Sequence, residues 1–291
     1  MGRRRRFVLG GVALGAAVSL VSNAIDQRRE LEERIAGEID ALLATVNPDG
    51  QEVVTEDALA GLPEPVGRWL RWSGVVGKKR PATVRLRQSG ELRLGNSGWF
   101  PFVAEEYFTI DPPAFIWAAR MTMVPGVTVI GRDRLVDGEG SIEMRLLGLV
   151  PVARDTGPEM DRGALLRYLN EIMWFPAAAL SPSISWEAVD SDSARATITH
   201  AGVSASATFR FDQDGRLTDM VADRYDREAG RVLPWSTPIS DYGEFGGVRV
   251  PVAGEAVYAR GEGDIPYIRL RVTAVEHDRP ERFWPSAVHG N

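Results

Sequence analysis

Beyond Pro81 the chain consists of short segments in which apolar and polar residues alternate, separated by short turns. The first such segment is Thr83-Val84-Arg85-Leu86-Arg87, and Asp137-Gly138-Glu139-Gly140 is a typical turn. Alternation with period two is typical of strands with one buried face, and turns of this length join antiparallel neighbours. We therefore predict about ten to twelve strands, drawn from thirteen segments at residues 83–87, 91–94, 100–110, 115–123, 127–136, 141–150, 184–189, 194–200, 203–211, 217–226, 235–245, 248–258 and 267–276.

One long helix, from Pro158 to Trp174, is predicted to interrupt the strands, because acidic residues follow the proline and Leu165, Leu169 and Ile172 share one face. Strands and helices do not alternate as they do around a parallel sheet. The predicted fold class is α+β: a large curved antiparallel sheet (a half-open β-barrel) covered by one long helix, with N-terminal transmembrane and stalk helices. Strand twist accumulates over so many strands, so the sheet must curl around the helix or around a ligand.

The N-terminus carries Arg3-Arg4-Arg5-Arg6 and then an uncharged run from Phe7 to Ile25. A helix of roughly 19 residues is about 28 Å long, close to the thickness of about 30 Å of a bilayer's hydrocarbon core. Residues 1–25 are therefore predicted to be a transmembrane anchor or a cleaved signal segment. Because basic residues precede the run, the main domain is expected outside the cytoplasm of a single-pass cell-membrane protein.

The remaining chain divides into three parts. Residues 26–50 are predicted to form an amphipathic stalk helix, because apolar residues from Leu31 to Val46 recur every three or four positions. Residues 55–278 are predicted to form the β-rich half-barrel domain, and residues 279–291 a loose tail.

Composition excludes several functions. The chain has no cysteine, so neither a disulfide framework nor a thiolate metal site is available. Its formal charge is −6, and without the four arginines of residues 1–25 it is −10, which argues against nucleic acid as a partner. Motifs for metal or nucleotide binding are missing from the sequence, so we predict no metal and no cofactor. The three histidines, His200, His277 and His289, lie at strand ends or in the tail and suggest no catalytic triad.

Several charged residues interrupt the apolar strands. Glu105 and Glu106 precede Tyr107, Arg120 lies within residues 115–123, and Arg132-Asp133 lies within residues 127–136. Adjacent residues of a strand point to opposite faces, so the two glutamates cannot act as one pair. Ion pairing between neighbouring strands is one interpretation of these charges, and catalysis by a buried carboxylate is another.

An apolar stripe in the third predicted strand is the best candidate for a binding surface. Phe115, Trp117, Met121 and Met123 project from one face, and methionine adapts to ligands of varied shape. Trp174 and Phe175, at the end of the long helix, are predicted to complete a ligand pocket with this stripe. Arg120 and Arg132 are the predicted contacts for an anionic head group at its rim. A dry core made of the same aromatic residues is the competing interpretation.

Six motifs together indicate a family: Leu62-Pro63-Glu64-Pro65-Val66, Arg68-Trp69-Leu70, Asp111-Pro112-Pro113, Leu147-Gly148-Leu149-Val150-Pro151, Trp174-Phe175-Pro176 and Asp241-Tyr242. They resemble an uncharacterised bacterial family, a domain of unknown function, over about residues 61–276. That resemblance implies no catalytic residue. The last strands, from Tyr242 to Val275, are also similar to the outer-membrane lipoprotein carriers and mycobacterial lipoproteins. Such a likeness implies a half-barrel that holds acyl chains, although this chain lacks the lipidated cysteine of some of those proteins.

We therefore expect a membrane-anchored extracytoplasmic protein that binds a lipid or another hydrophobic small molecule. A hydrolase that uses a carboxylate of Glu105, Glu106 or Asp133 is the first alternative, and it requires a second titratable group in the same cleft. A protein-interaction module with a filled core is the second.

Overall fold

We analysed a computed structural model of the chain. It describes residues 3–46, 51–93, 98–259, 261, 263–283, 286 and 288, and for residues 3–21 it describes the helix alone. The helices are α1 (Arg3–Ala44), α2 (Glu64–Ser73) and α3 (Pro158–Glu171), with short 3₁₀ turns at Asp57–Leu59, Ile172–Trp174 and Pro176–Leu180. The strands of the described chain are β1 (Thr83–Arg93), β2 (Trp99–Thr109), β3 (Ala114–Val124), β4 (Val127–Val136), β5 (Glu139–Leu146), β6 (Val150–Thr156), β7 (Ile184–Asp190), β8 (Ser193–His200), β9 (Val203–Phe211), β10 (Leu217–Asp226), β11 (Arg231–Ser236), β12 (Ile239–Phe245), β13 (Val248–Ala259) and β14 (Asp264–His277).

All of these strands belong to one antiparallel sheet, in the order β6-β5-β4-β3-β2-β1-β14-β13-β11-β10-β9-β8-β7. β12 pairs with β13 beside the end of β11. Most neighbours follow one another in sequence, and the pairing of β1 with β14 joins the two halves. The predicted curved antiparallel half-barrel is confirmed, and its edge strands are β6 and β7.

The structure differs from the predicted strands at three places. Residues 83–87 and 91–94 were expected as two strands, but β1 runs through Gly90, where a Cβ atom would lie 2.1 Å from the carbonyl oxygen of Arg269 on β14. Only glycine allows this close approach. The segment 141–150 is divided between β5 and β6, and the segment 235–245 is divided at Pro238, which has no N–H for the ladder.

Helix α3 connects the two edge strands and lies across the concave face, where it contacts β5 of one half and β9 of the other. Leu165 and Leu169 are buried in the core. The Tyr168 hydroxyl donates a hydrogen bond to the carbonyl oxygen of Thr109 at 3.1 Å, which ties the helix to β2. As predicted from the sequence, the long helix covers the hollow of the sheet.

Helix α1 packs on the convex face of the sheet. Its apolar stripe, including Leu31, Ile35 and Ile39, forms a second core with residues of β2, β3 and β4 such as Tyr107 and Ile130. The helix predicted as a stalk is therefore docked on the domain along residues 31–43. Among the described residues, we find no helix whose length and apolar composition would let it cross a membrane.

The described part of the C-terminal tail also packs on the convex face, which corrects the expectation of a loose tail. Phe283 and Val288 are buried in the same outer core as α1. The Phe283 ring lies between two guanidinium groups, with the Cζ atoms of Arg85 and Arg87 at 4.4 and 4.3 Å from the ring centroid. Its backbone N–H donates to the Tyr107 hydroxyl at 3.2 Å. Apolar burial and cation–π contacts hold these residues in place.

Candidate functional site

A cavity of about 390 Å³ lies between the concave face of the sheet and α3. On α3, its lining residues recur at a spacing of three or four, as expected for one helical face: Glu159 and Met160, Gly163, Arg167, and Asn170 and Glu171. The opposite helical face carries the core residues Leu165 and Leu169. The lining includes both buried and solvent-exposed residues, so the cavity is open to solvent.

Much of the cavity wall is apolar and aromatic. Trp117 and Met144 come from the β1–β6 half, Trp235 and Tyr267 come from the other half, and Met173 follows α3. Tyr258 and Tyr267 stack with ring centroids 5.3 Å apart. Walls of this kind, with a few placed polar groups, are typical of sites for small apolar molecules.

One arginine on α3 organises the polar part of the wall. Arg167 binds three carboxylates through three different nitrogens: Nη2 lies 2.7 Å from Glu106 Oε1, Nη1 lies 2.7 Å from Asp133 Oδ2, and Nε lies 2.7 Å from Glu171 Oε1. The three acids are almost completely buried. We call Arg167, Glu106, Asp133 and Glu171 the Arg167 cluster. The planar guanidinium, with its fixed donors, suits this arrangement better than a lysine ammonium would.

Neighbouring aromatic and amide groups hold the cluster in place. The Arg167 guanidinium lies 4.9 Å from the ring centroid of Phe115 and 5.2 Å from that of Trp117. Gln88 Nε2 donates to Glu106 Oε2 at 3.1 Å, and Trp117 Nε1 donates to Gln88 Oε1 at 3.0 Å. Each partner orients the next one, so the charged groups have little freedom to rearrange.

The cluster changes the acidity of its glutamates. Burial raises the pKa of Glu106, and the nearby Glu171 carboxyl raises it further, although Arg167 opposes the rise. Burial likewise raises the pKa of Glu171 against the effect of Arg167. Burial alone would lower the pKa of Arg167, but its three carboxylate partners raise it, so this arginine stays charged.

A second arginine lies at the same cavity. Arg224 on β10 donates through Nη1 to the Tyr267 hydroxyl at 3.1 Å and through Nη2 to the Gly163 carbonyl oxygen at 3.4 Å. Its guanidinium lies 4.8 Å from the ring centroid of Trp235. Its donors and its ring contact therefore tie α3 to the β10–β14 side of the cavity.

Comparison with known proteins identifies the family. A family of unknown function, DUF6544, matches residues 52–270. The chain belongs to DUF6544. This result confirms the resemblance predicted from the sequence motifs over residues 61–276. Among the curated proteins, no sequence matches this DUF6544 chain.

Two solved structures are similar to this DUF6544 protein. One is a LolA superfamily protein from Nitrosomonas europaea, with 8% identity, a TM-score of 0.37, and coverage of 78% of this chain and 96% of that chain. The other is a β-barrel-like protein of the domain of unknown function DUF1849 from Brucella abortus, with 8% identity, a TM-score of 0.27, and coverage of 68% and 98%.

The predicted binding residues of the DUF6544 protein occupy different environments. Trp117 and Trp174 line the cavity. Phe115, Met121 and Phe175 lie on the same side of the sheet but are packed in the core, where the Phe175 ring centroid is 4.8 Å from that of Phe108. Met123 is partly buried against that core. The stripe therefore supplies part of the core and one wall of the cavity.

The two predicted head-group arginines do not reach the cavity, and this corrects their expected place at its rim. Arg120 and Arg132 project from the convex face, because they alternate with the inward residues of β3 and β4. Arg120 Nη2 lies 3.9 Å from Glu32 Oε1, and Arg132 Nε lies 3.3 Å from Glu38 Oε2, both on α1. They attach the helix to the sheet.

The carboxylates singled out from the sequence are also divided between the faces. Glu105 is on the convex face, where its Oε2 accepts hydrogen bonds from the Tyr107 and Ser286 hydroxyls at 3.0 Å each. Glu106 is in the Arg167 cluster but does not line the cavity, whereas Asp133 does both. The predicted opposite orientation of adjacent glutamates is confirmed.

Sequence reasoning missed Arg167, Glu171, Arg224 and Tyr267. A signal was present for the first two, because Arg167 and Glu171 are four residues apart on a helix and lie among buried leucines. Their meeting with Glu106 and Asp133 depends on how α3 lies on the sheet. Within the described ranges, no group of three or more histidine, aspartate or glutamate side chains is arranged to hold a metal ion.

Proposed function

We propose that this DUF6544 protein binds a lipid or another hydrophobic small molecule in the cavity between its sheet and α3. The supporting observation is the cavity itself, which has room of about 390 Å³ and aromatic walls that include Trp117, Trp174 and Trp235. A filled core at this place would have favoured an interaction module instead. Apolar burial is the driving force: hiding ~300 Å² of ligand surface contributes roughly 7 kcal/mol before ordering costs.

Filling the cavity from α3 tests the proposal. Gly163 lines the cavity, and a Cβ atom at this position would have no heavy atom within 4 Å. Gly163→Phe therefore places a ring in open space without a clash at its base. Gly37 on α1 is the matched control, because it is a helical glycine with the same open surroundings but lies on the convex side.

The readout is the fluorescence of N-phenylnaphthylamine, a neutral apolar probe, titrated into the full-length protein. We expect saturable binding by the wild type and by Gly37→Phe, and a loss of saturable binding in Gly163→Phe. Equal binding by all three proteins would mean that the probe sits elsewhere, and absence of saturable binding in all three would refute the cavity as an apolar binding site.

We further propose that the protein is held at the cell membrane by residues 1–25, with the half-barrel outside the cytoplasm. The support is the uncharged run from Phe7 to Ile25 and the arginines before it. Protease treatment of intact cells tests the orientation. Degradation of the half-barrel together with retention of an N-terminal tag supports the proposal, whereas complete protection contradicts it.

Carboxylate-dependent hydrolysis is the second candidate, and a specific observation favours it. Asp133 and Glu171 both line the cavity, and the pKa of Glu171 is raised by burial, as a general acid requires. Turnover of a panel of ester and glycoside substrates by the wild type, abolished in Glu171→Gln, would support catalysis. Absence of turnover across the panel leaves ligand binding as the function.

A further inference from the structure

We propose that the ligand of this cavity is an amphiphile whose polar end is a cation, such as an alkylamine, and that this end lies against the wall that carries Asp133 and Glu171. This inference rests on the proposed apolar binding function and adds the chemical class of the head group.

The first observation is the charge of the lining. Among the described residues that form the cavity wall, seven are acidic and four are arginines, which gives a formal charge of −3 with every acid ionised and −2 with Glu171 protonated. The excess acids are distributed from the interior, at Asp133 and Glu171, to exposed positions such as Glu159. A cavity with low-dielectric walls strengthens this field, so a cationic group is attracted and an anionic group is repelled.

The second observation is that most of the arginines are already engaged. Arg167 binds three carboxylates, and Arg224 donates to Tyr267 and Gly163. Arg227 Nε lies 3.1 Å from Asp155 Oδ2. Arg93, at the end of β1, is the fourth. An anionic head group would have to displace an existing partner at Arg167, Arg224 or Arg227, and Arg93 is the one lining arginine whose buried Nε has no hydrogen-bond partner in the described chain.

The third observation is an acceptor without a donor. Asp133 is 6% exposed, and although its Oδ2 pairs with Arg167, its Oδ1 is buried and accepts no hydrogen bond from any residue of the described chain. Asp133 lines the cavity. A buried acceptor is normally satisfied, so a donor brought by a ligand is the missing partner that fits this position. An ammonium group supplies both the donor and the charge.

A head-group series on the unaltered protein tests this inference. Dodecylamine, dodecanol and dodecanoate have the same chain, and isothermal titration calorimetry with full-length protein gives three affinities, measured below the micelle concentrations of the two ionic compounds and below the solubility limit of dodecanol. Gly163→Phe, titrated in parallel, gives the binding that occurs outside the cavity. We expect cavity-specific affinity in the order amine, alcohol, carboxylate, with at least about a tenfold difference between amine and carboxylate.

Two variants test whether the charge of Asp133 causes the tighter binding of the amine. Asp133→Asn removes the charge at the unpaired acceptor and is expected to reduce the amine-to-alcohol ratio several-fold. Glu143→Gln is the matched control, because Glu143 is a buried carboxylate bound by arginines on the convex face. It is expected to leave the ratio unchanged. If Asp133→Asn does not fold, the head-group series on the wild type still tests whether the cavity prefers a cationic head group.

The outcomes separate the two proposals. Equal cavity-specific affinities for the three compounds, or tightest binding of dodecanoate, would overturn the cationic head group and leave apolar binding intact. Absence of cavity-specific binding of any dodecyl compound would overturn both.

Discussion

Arg167 Nη2 and Glu106 Oε1 lie 2.7 Å apart between α3 and β2, and this ion pair joins the helix to the concave face of the sheet. The same guanidinium binds Asp133 of β4 and Glu171 of its own helix. One cation therefore serves three buried carboxylates. Such a cluster is stable only while the cation is present, because isolated buried charges carry a large desolvation cost.

Replacing Arg167 with leucine is expected to reduce the free energy of unfolding by about 3–5 kcal/mol, since the carboxylates lose their cation while remaining buried. Urea denaturation followed by tryptophan fluorescence measures the change. Arg145→Leu is the control: Arg145 is 31% exposed in its side chain, and its partner Glu143 keeps Arg34. We expect Arg145→Leu to reduce the free energy of unfolding by less than about 1 kcal/mol. Equal effects of the two substitutions would contradict a special role for Arg167.

Stability is expected to depend on pH through Glu171. Burial raises its pKa above the ordinary value of 4.5, so between that value and the raised one the native state holds a proton that the unfolded chain has released. Stability is therefore fully present below the ordinary pKa and falls as pH rises through this window, by up to about 1.4 kcal/mol per pH unit for one proton. In Glu171→Gln a neutral amide replaces the titrating carboxyl, so the decline of stability above pH 4.5 is expected to flatten.

Glu143→Gln is the control for this pH dependence because its effect has the opposite sign. Burial acts to raise the pKa of Glu143, but hydrogen bonds from Arg34 and Arg145 outweigh it and hold that pKa below the ordinary value of 4.5. Its contribution is present above the ordinary pKa and is lost as pH falls. Urea denaturation at a series of pH values should show the two substitutions acting on opposite sides of 4.5. A slope above pH 4.5 that is unchanged in Glu171→Gln would contradict the raised pKa of Glu171.

The sheet was predictable from the sequence because each of its hairpins is specified by a short run of consecutive residues. Period-two alternation and turn residues such as Asp137-Gly138 identify hairpins one at a time, and consecutive hairpins assemble into a meander. The break at Pro238 and the edge strand β6 were missed because both depend on pairing with particular neighbours. In the part of the chain that the structure describes, β6 pairs only with β5, and its exposed valines, Val150 and Val152, do not alternate with buried residues.

The site was less predictable than the sheet. Alternation puts Trp117 and Arg120 on opposite faces of β3, yet Arg120 was assigned to the rim of the pocket lined by Trp117; the structure places it on the convex face, against α1. The Arg167 cluster combines residues from β2, β4 and α3. Their approach depends on the curvature of the sheet and on the path of the helix between its two edges.

Removing the Phe283 ring tests the docking of the tail. Phe283→Ala is expected to destabilise the protein by about 3 kcal/mol, because apolar burial and two guanidinium contacts are lost together. Phe283→Leu keeps most of the apolar volume and loses only the ring, so its expected loss is about 1 kcal/mol. Thermal and urea denaturation measure the loss of stability in each of the two variants. A neutral Phe283→Ala substitution would indicate that the tail does not stabilise the convex face.

The docking of α1 is tested by two isoleucines of the same helix. Ile39 is 1% exposed and packs with Tyr107, Ile116 and Ile130, whereas Ile25 is 47% exposed. Ile39→Ala is expected to cost about 3 kcal/mol of unfolding free energy, because it leaves a cavity between helix and sheet. Ile25→Ala is expected to change it by less than about 0.5 kcal/mol. Urea denaturation of the full-length protein distinguishes the docked helix from a free stalk, for which both substitutions would have the same small effect.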